Sequence, residues 1–206
     1  MDRILDCKVS PCEDGMTVLQ FLRTKGFSRH ILTSMKPDKK ALTLNGEKAG
    51  GNTVLHTGDV LHVRILETGS CEGIVPAEME LSVLYEDEDI LVLNKASNLP
   101  VHPSIGNYEN KLANGVEAYF RSRNLICPFR CINRLDRDTS GALILAKNAL
   151  SAAILSAQMR NREIRRTYLA IVQGIAPKKG TVSAPIGRKD GSVMERQVDF
   201  DHGESA

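Results

Sequence analysis

The chain is poor in aromatic residues, with five Phe and four Tyr among 206 residues, and it has no apolar run near the roughly 20 residues that span a bilayer. Its first stretch, "MDRILDCKVSPCEDG", carries acids where a secretory signal needs an unbroken apolar segment. No membrane involvement is expected, and the expected location is the cytoplasm. Five cysteines, at positions 7, 12, 71, 127 and 131, form an odd set without a C-x-x-C pair or a histidine pair at zinc-finger spacing. Pro128 and Phe129 lie between Cys127 and Cys131 and no second pair follows, so the cysteines read as free thiols and no metal site is expected. Internal repeats and low-complexity tracts are absent. What is present is 42% hydrophobic residues over a length that can bury one large domain or two small ones.

The net charge of +2 conceals a segregation. Residues 16–64 hold eight Lys/Arg against three Asp/Glu, residues 65–95 hold one against eight, and residues 111–189 hold fifteen against four. Two basic bodies therefore flank an acidic connector. Basic segments of that size point to a polyanionic partner, with solvated charged faces as the plain alternative.

The first compact unit runs from about Gly15 to Leu66. Asp14 is placed to cap a helix through "MTVLQFLRTKG", with Val18, Leu19 and Leu22 on one face and Gly26 in the left-handed position that ends it. Ser28 starts a second short helix, "SRHILTSMK". After Pro37 the pattern turns to strands: "ALTL", an Asn45-Gly46 hairpin turn, a Gly58-Asp59 turn and "DVLHVRIL". This order resembles the αL RNA-binding motif first known from a small-subunit ribosomal protein. The resemblance implies that Gly26, Ser28 and Arg29 form the turn between the helices, with Arg23, Lys25, Lys36, Lys39 and Lys40 as phosphate contacts.

"ETGSCEGIVPAEME", residues 67–80, mixes Gly, Ser, Pro and Glu without periodicity and reads as a linker. A second body follows. Val83 to Tyr85 and Ile90 to Asn94 read as strands around an acidic turn, and "ENKLANGVEAYFRSRN" as a helix weakened by Gly115. In "NRLDRDTSGALILAKN", the "TSG" tripeptide is a turn and "ALILA" a strand buried on both faces. Asn148 caps the helix "ALSAAILSAQMRNRE", and "RRTYLAIVQG" alternates as a strand with Tyr168, Ala170 and Val172 pointing one way.

Asp136 stands between Arg134 and Arg137, and positive neighbours favour the charged carboxylate. It is suited to act as nucleophile or base. Tyr168 could stack on a nucleobase or exchange a proton at a base carbon, while the arginines could hold phosphates around an extruded nucleotide. The plain reading of Asp136 is a turn residue in a surface ion pair. Asp138 is assigned to turn capping.

"INRLDRDTSGALILAKN" closely resembles the catalytic motif of the RluA-type pseudouridine synthases. "LYEDEDILVLNKASNLPVHPS" resembles that family's opening motif, and "RRTYLAIVQG" its tyrosine-bearing strand. The resemblance implies isomerisation of uridine in RNA to pseudouridine without metal or organic cofactor. By position, Asp136 is then the essential carboxylate, Tyr168 stacks on the flipped base, and Arg134 and Arg137 hold RNA. The implied partner is structured RNA, ribosomal RNA of the large subunit, with transfer RNA as the alternative, and the implied state is a monomer. The implied fold class is α+β. A small αL RNA-binding domain over residues 1–66, two helices plus a small antiparallel sheet, precedes a linker over 67–80. Residues 81–206 form the N-terminal portion of a mixed, mainly antiparallel catalytic domain of pseudouridine synthase type.

Two departures stand out. Asn133 occupies the place where the family usually has histidine, and its amide can still donate one hydrogen bond. The family also continues through a "TGRTHQIRVH"-like motif with a basic residue that pairs with the aspartate, and no such motif is found here, so a truncated synthase is expected. The competing reading is an RNA-binding protein without catalysis. A glycoside hydrolase using Asp136 and Asp138 would need an acidic, aromatic-lined groove, against the basic charge and the nine aromatics.

Overall fold

The computed structural model describes residues 2–67, 73–102, 110–192 and 195–204. Two compact units divide the chain, Met1–Arg165 and Arg166–Ala206.

The first unit begins with β1 (Arg3–Lys8), whose alternating burial sends Leu5 and Cys7 toward the core. It pairs antiparallel with β4 (Val60–Ile65), Arg3 opposite Ile65 and Cys7 opposite Leu61. β2 (Leu42–Leu44) lies on the other side of β4 and carries β3 (Glu47–Lys48) at its edge, giving the order β1-β4-β2-β3. Between β2 and β3, Asn45 and Gly46 both take positive φ, 51° and 88°, as a two-residue hairpin turn requires.

Two short helices cover the sheet, α1 (Val18–Thr24) and α2 (Arg29–Ser34). Asp14 does not cap α1. The cap is Thr17, in a capping box with Gln20: the Gln20 N–H donates to Thr17 Oγ1 and the Thr17 N–H to Gln20 Oε1. Asp14 accepts instead from the Thr57 N–H at 2.7 Å. α1 ends in a Schellman turn: the Phe27 N–H reaches Leu22 O and the Gly26 N–H reaches Arg23 O, with Gly26 at φ 90°. Ser28 caps α2 as expected, accepting from the Ile31 N–H. Phe21, Leu22, Ile31, Leu55, Leu61 and Val63 fill the core beneath.

Glu13 shows how this body responds to acid. Its carboxylate takes a 2.7 Å ion pair from Lys25 and a hydrogen bond from the Ser10 N–H, which together lower its pKa from 4.5 to about 2. A depressed carboxylate pKa stabilises the fold fully above the unfolded value, and that contribution is lost as pH falls from about 4.5 toward about 2. Urea midpoints measured across this window should therefore fall more steeply for the wild type than for Glu13→Gln.

A second sheet orders β5 (Val83–Glu86), β6 (Ile90–Lys95) and β7 (Gly141–Ala146), antiparallel throughout. α3 (Leu112–Ser122) packs on it through Leu112, Val116 and Phe120 against Leu91, Leu93, Leu143 and Leu145. β7 is not buried on both faces: Leu143 and Leu145 face the core while Ala142 is exposed and Ile144 half-buried. Its alternation is that of an antiparallel strand with one wet face. Gly115 has a packing role in α3. A Cβ there would lie 2.2 Å from Met79 Cγ. Gly115→Ala should gain about 1 kcal/mol of helix propensity yet lose about 1–3 kcal/mol to overpacking, a net destabilisation that Met79→Ala relieves in a double-mutant cycle.

α4 (Ala149–Arg160) starts at Asn148, whose side chain accepts from the Ser151 N–H as expected. Leu150 lies in the core of the first body, with Ala153 and Ile154 packed against it. Polar contacts reinforce this docking. Arg3 makes a bidentate pair with Asp89, both contacts at 2.9 Å, and Asp89 also accepts from Asn148. Glu67 pairs with Arg130 at 2.6 Å and accepts from the Ala149 N–H. Residues 73–79 run along α3, where Asn114 Nδ2 donates to Val75 O and the Ala77 N–H to Asn114 O.

In the second unit, β8 (Ile186–Arg188) and β9 (Arg196–Val198) form an antiparallel hairpin. The strand expected over "YLAIV" is not formed. Residues 166–172 carry no regular secondary structure and pair with no strand, and Leu169 and Ile171 are fully exposed. Alternation alone cannot make a strand, because the ladder bonds come from a neighbour. Among the described cysteines, Cys7, Cys12 and Cys131 carry free thiols as expected, whereas Cys71 lies outside the described residues.

Candidate active site

The loop from Asn133 to Gly141 leads into β7. Asn133 clips its start to that strand: Nδ2 donates to Ala142 O at 3.1 Å and Oδ1 accepts from the Ile144 N–H at 2.8 Å. The amide thus donates the bond expected of it and accepts a second. Leu135 packs on the core of the second sheet, so the chain emerges at Asp136 with its side chain exposed. A turn closes where the Thr139 N–H donates to Asp136 O at 3.2 Å, and Gly141 enters β7 at φ 125°, a region where a Cβ is strained.

Beneath this loop lies Lys95, the last residue of β6, 1% exposed. Its ammonium donates to Ala96 O, Leu99 O and Arg137 O at 2.8–2.9 Å. Three donors meet three carbonyls, which ties the end of β6 to the aspartate turn. The Leu99 N–H also donates to Arg137 O, and Ser97 Oγ to Asp138 O. Burial lowers the pKa of Lys95, while the carboxylates of Asp138 and Asp136 pull it back up. Sequence reading passed over Lys95 as a functional residue. The signal was its phase: it alternates with Leu91 and Leu93 on the core face of β6.

The expected bracketing of Asp136 by two guanidinium groups is not formed. Arg137 turns away, its Nε donating to Asn98 Oδ1 at 2.7 Å and Nη2 to the same oxygen, with Asp138 at 3.9 Å. Among the described residues no ion pair joins Asp136 to Arg134 or Arg137. Adjacent side chains on a turn diverge, so sequence neighbours need not converge on one carboxylate. Asn98, at φ 61°, is the partner that sequence reading missed. Arg134 is exposed, and its charge adds to burial in lowering the pKa of His102, which packs edge-on against Phe129. Nearby thiols are poor nucleophiles, since burial pushes Cys127 to about 11 and Cys131 to about 12.

Other expected residues fall elsewhere. Tyr168 belongs to the second unit, outside any helix or strand, and is 57% exposed. Arg23, Arg29 and Lys36 are exposed on and after α1 and α2. Lys25 is held by Glu13 and lies over the Phe21 ring, and the Ser28 oxygen caps α2.

An exposed aspartate on a turn fixed by a buried ammonium, with two arginines on the same loop, forms a carboxylate site suited to an anionic substrate. Comparison with known proteins narrows this class. A family model described as RNA pseudouridylate synthase matches residues 89–206. An uncharacterized RNA pseudouridine synthase of Bacillus subtilis, YjbO, is 36% identical over 184 residues, covering 89% of this chain and 65% of the relative. Ribosomal large subunit pseudouridine synthase D of Xanthomonas campestris is 38% identical over 165 residues, covering 79% and 48%. The solved structure of human RNA pseudouridylate synthase domain containing 1 is 26% identical, with a TM-score of 0.40 over 67% of this chain and 49% of that one. The chain belongs to the RNA pseudouridylate synthase family, in its RluA type. It spans about half to two thirds of the length of these relatives.

Proposed function

We propose that this chain is an isomerase that converts uridine to pseudouridine in large-subunit ribosomal RNA. In that reaction the N1–C1′ bond breaks, the base rotates and C5 bonds to C1′; C5 loses a proton and N1 gains one. Asp136 is the essential carboxylate, as nucleophile at the sugar or as base for a sugar proton. Tyr168 stacks on the extruded base, and Arg134 and Arg137 hold the RNA. No metal or organic cofactor takes part. The observation that carries the reading is that the family match over residues 89–206 spans the turn on which Asp136 is exposed and anchored by Lys95.

Residues 1–66 serve as an αL RNA-binding domain joined through 67–80 to the catalytic portion. Support comes from the paired helices with Gly26 and Ser28 between them and from the Asn45-Gly46 turn. Arg23, Lys25, Ser28, Arg29 and Lys36 face the RNA backbone there. The protein acts as a monomer in the cytoplasm; no helix among the described residues is long and apolar enough to cross a membrane.

A second reading, RNA binding without catalysis, is favoured by the unpaired, exposed setting of Tyr168. Incubation with large-subunit ribosomal RNA and with transfer RNA transcripts, followed by carbodiimide labelling and primer extension, separates the two. A new stop at a ribosomal uridine is expected. Salt-sensitive RNA retention without any stop would replace the first reading by the second.

A further inference from the structure

We infer that the C-terminal end of α4 is a further RNA-backbone contact surface, on which Arg162 and Arg160 each take a phosphate; this rests on the proposed RNA partner. The observation is a strained arginine. α4 ends in a Schellman turn, with the Glu163 N–H donating to Gln158 O at 2.9 Å and the Arg162 N–H to Met159 O at 3.2 Å. Arg162 occupies the left-handed position of that turn at φ 58°. The same motif at the end of α1 uses Gly26, the residue that meets this geometry without strain. A long cationic side chain at such a position is a standing cost to the fold, and strain of this kind concentrates at functional positions.

Local electrostatics do not account for it. Arg160, in the last turn of α4, offsets the helix dipole. Arg162 lies beyond the helix, and glycine there would end it better. Among the described residues, no side-chain hydrogen bond or ion pair engages Arg160 or Arg162, whereas Arg3, Arg121 and Arg130 are each paired with a carboxylate. The nearby Glu163 accepts from Asn161 Nδ2.

Placement makes the two arginines useful. α4 lies against the turn between α1 and α2 so closely that a Cβ on Gly26 would meet Ile154 Cγ1 at 2.7 Å. Arg160 is six residues further along, about 9 Å at the helical rise. Arg23, near the end of α1, and Arg29, at the start of α2, flank that turn and are exposed, as are Arg160 and Arg162. The contacts of Arg3 with Asp89 and of Glu67 with Arg130 and Ala149 hold this arrangement before any RNA arrives, which lowers the ordering cost of binding.

The test uses the full chain and a structured fragment of large-subunit ribosomal RNA, with affinity measured by filter binding over a salt series. Arg162→Gly should raise Tm by roughly 2–4 °C as the strain is released, while flattening the slope of log K against log salt by about 0.9. Together with Arg160→Gln the slope should flatten by about 1.8, so that a fourfold rise in salt costs the double variant about twelvefold less affinity than the wild type. A stabilised Arg162→Gly with an unchanged slope would overturn the inference while leaving the RNA partner intact. A wild-type chain without salt-sensitive RNA binding would overturn the partner itself, and the inference with it.

Discussion

Lys95→Met should destabilise the first unit by about 2–4 kcal/mol, a fall in Tm of roughly 5–15 °C. Methionine matches the length of the stem and keeps its packing, so the loss comes from the ammonium. Three carbonyls, of Ala96, Leu99 and Arg137, would lose their charged donor together. Hydrogen bonds to a charged group contribute more than neutral ones, and partly buried carbonyls left without donors carry a desolvation penalty. Relief from burying a cation acts in the opposite direction, which keeps the figure below three full bonds. The same change should loosen the turn at Asp136, because Arg137 O is held from below by Lys95 and from the side by the Leu99 N–H. Hydrogen exchange at Leu99 and Thr139 measures this directly. A variant as stable as the wild type, with unchanged exchange at both amides, would show that Lys95 does not hold the turn.

Asp136→Asn should separate holding RNA from acting on it. The side chain is exposed and its backbone carbonyl carries the turn bond to Thr139, so the substitution should move stability by about 0.5 kcal/mol or less. RNA affinity should hold or rise slightly, since a negative charge leaves a surface that meets phosphates. Pseudouridine formation should fall on the order of 10³-fold or more, because an amide cannot act as nucleophile or as base. Equal formation by both proteins would remove Asp136 from the reaction. A loss of binding as large as the loss of formation would assign the carboxylate to folding of the loop instead.

The features legible in the sequence are those encoded within a few residues. Ser28 and Asn148 cap their helices because each has a backbone donor three residues on. Asn45-Gly46 turns because both residues accept positive φ. The capping of α1 was misread between two suitable residue types: Asp14 and Thr17 both qualify, and Gln20, three residues after Thr17, decides. β1 escaped notice because its partner, β4, lies more than fifty residues away in the chain and six alternating residues carry little signal alone. The strand expected at Tyr168 failed for the complementary reason, alternation without a ladder. At the candidate site, Asp136 and Arg134 are singled out in the sequence by the charge pattern of the loop and by motif likeness. Lys95 and Asn98 were missed because their work is non-local, each acting on backbone or side chain about forty residues further along. A lysine in phase with buried leucines on a strand is nonetheless a readable sign of a buried cation with dedicated acceptors.

The central claim is that the turn bearing Asp136 is a working uridine-isomerising site. It is tested most directly by single-turnover release of tritium from uridine C5 in large-subunit ribosomal RNA transcripts, comparing the wild type with Asp136→Asn at matched RNA occupancy. Release by the wild type and its loss in the variant are the expected results. Undiminished release by Asp136→Asn, or none from the wild type on RNA that it demonstrably binds, would contradict the claim.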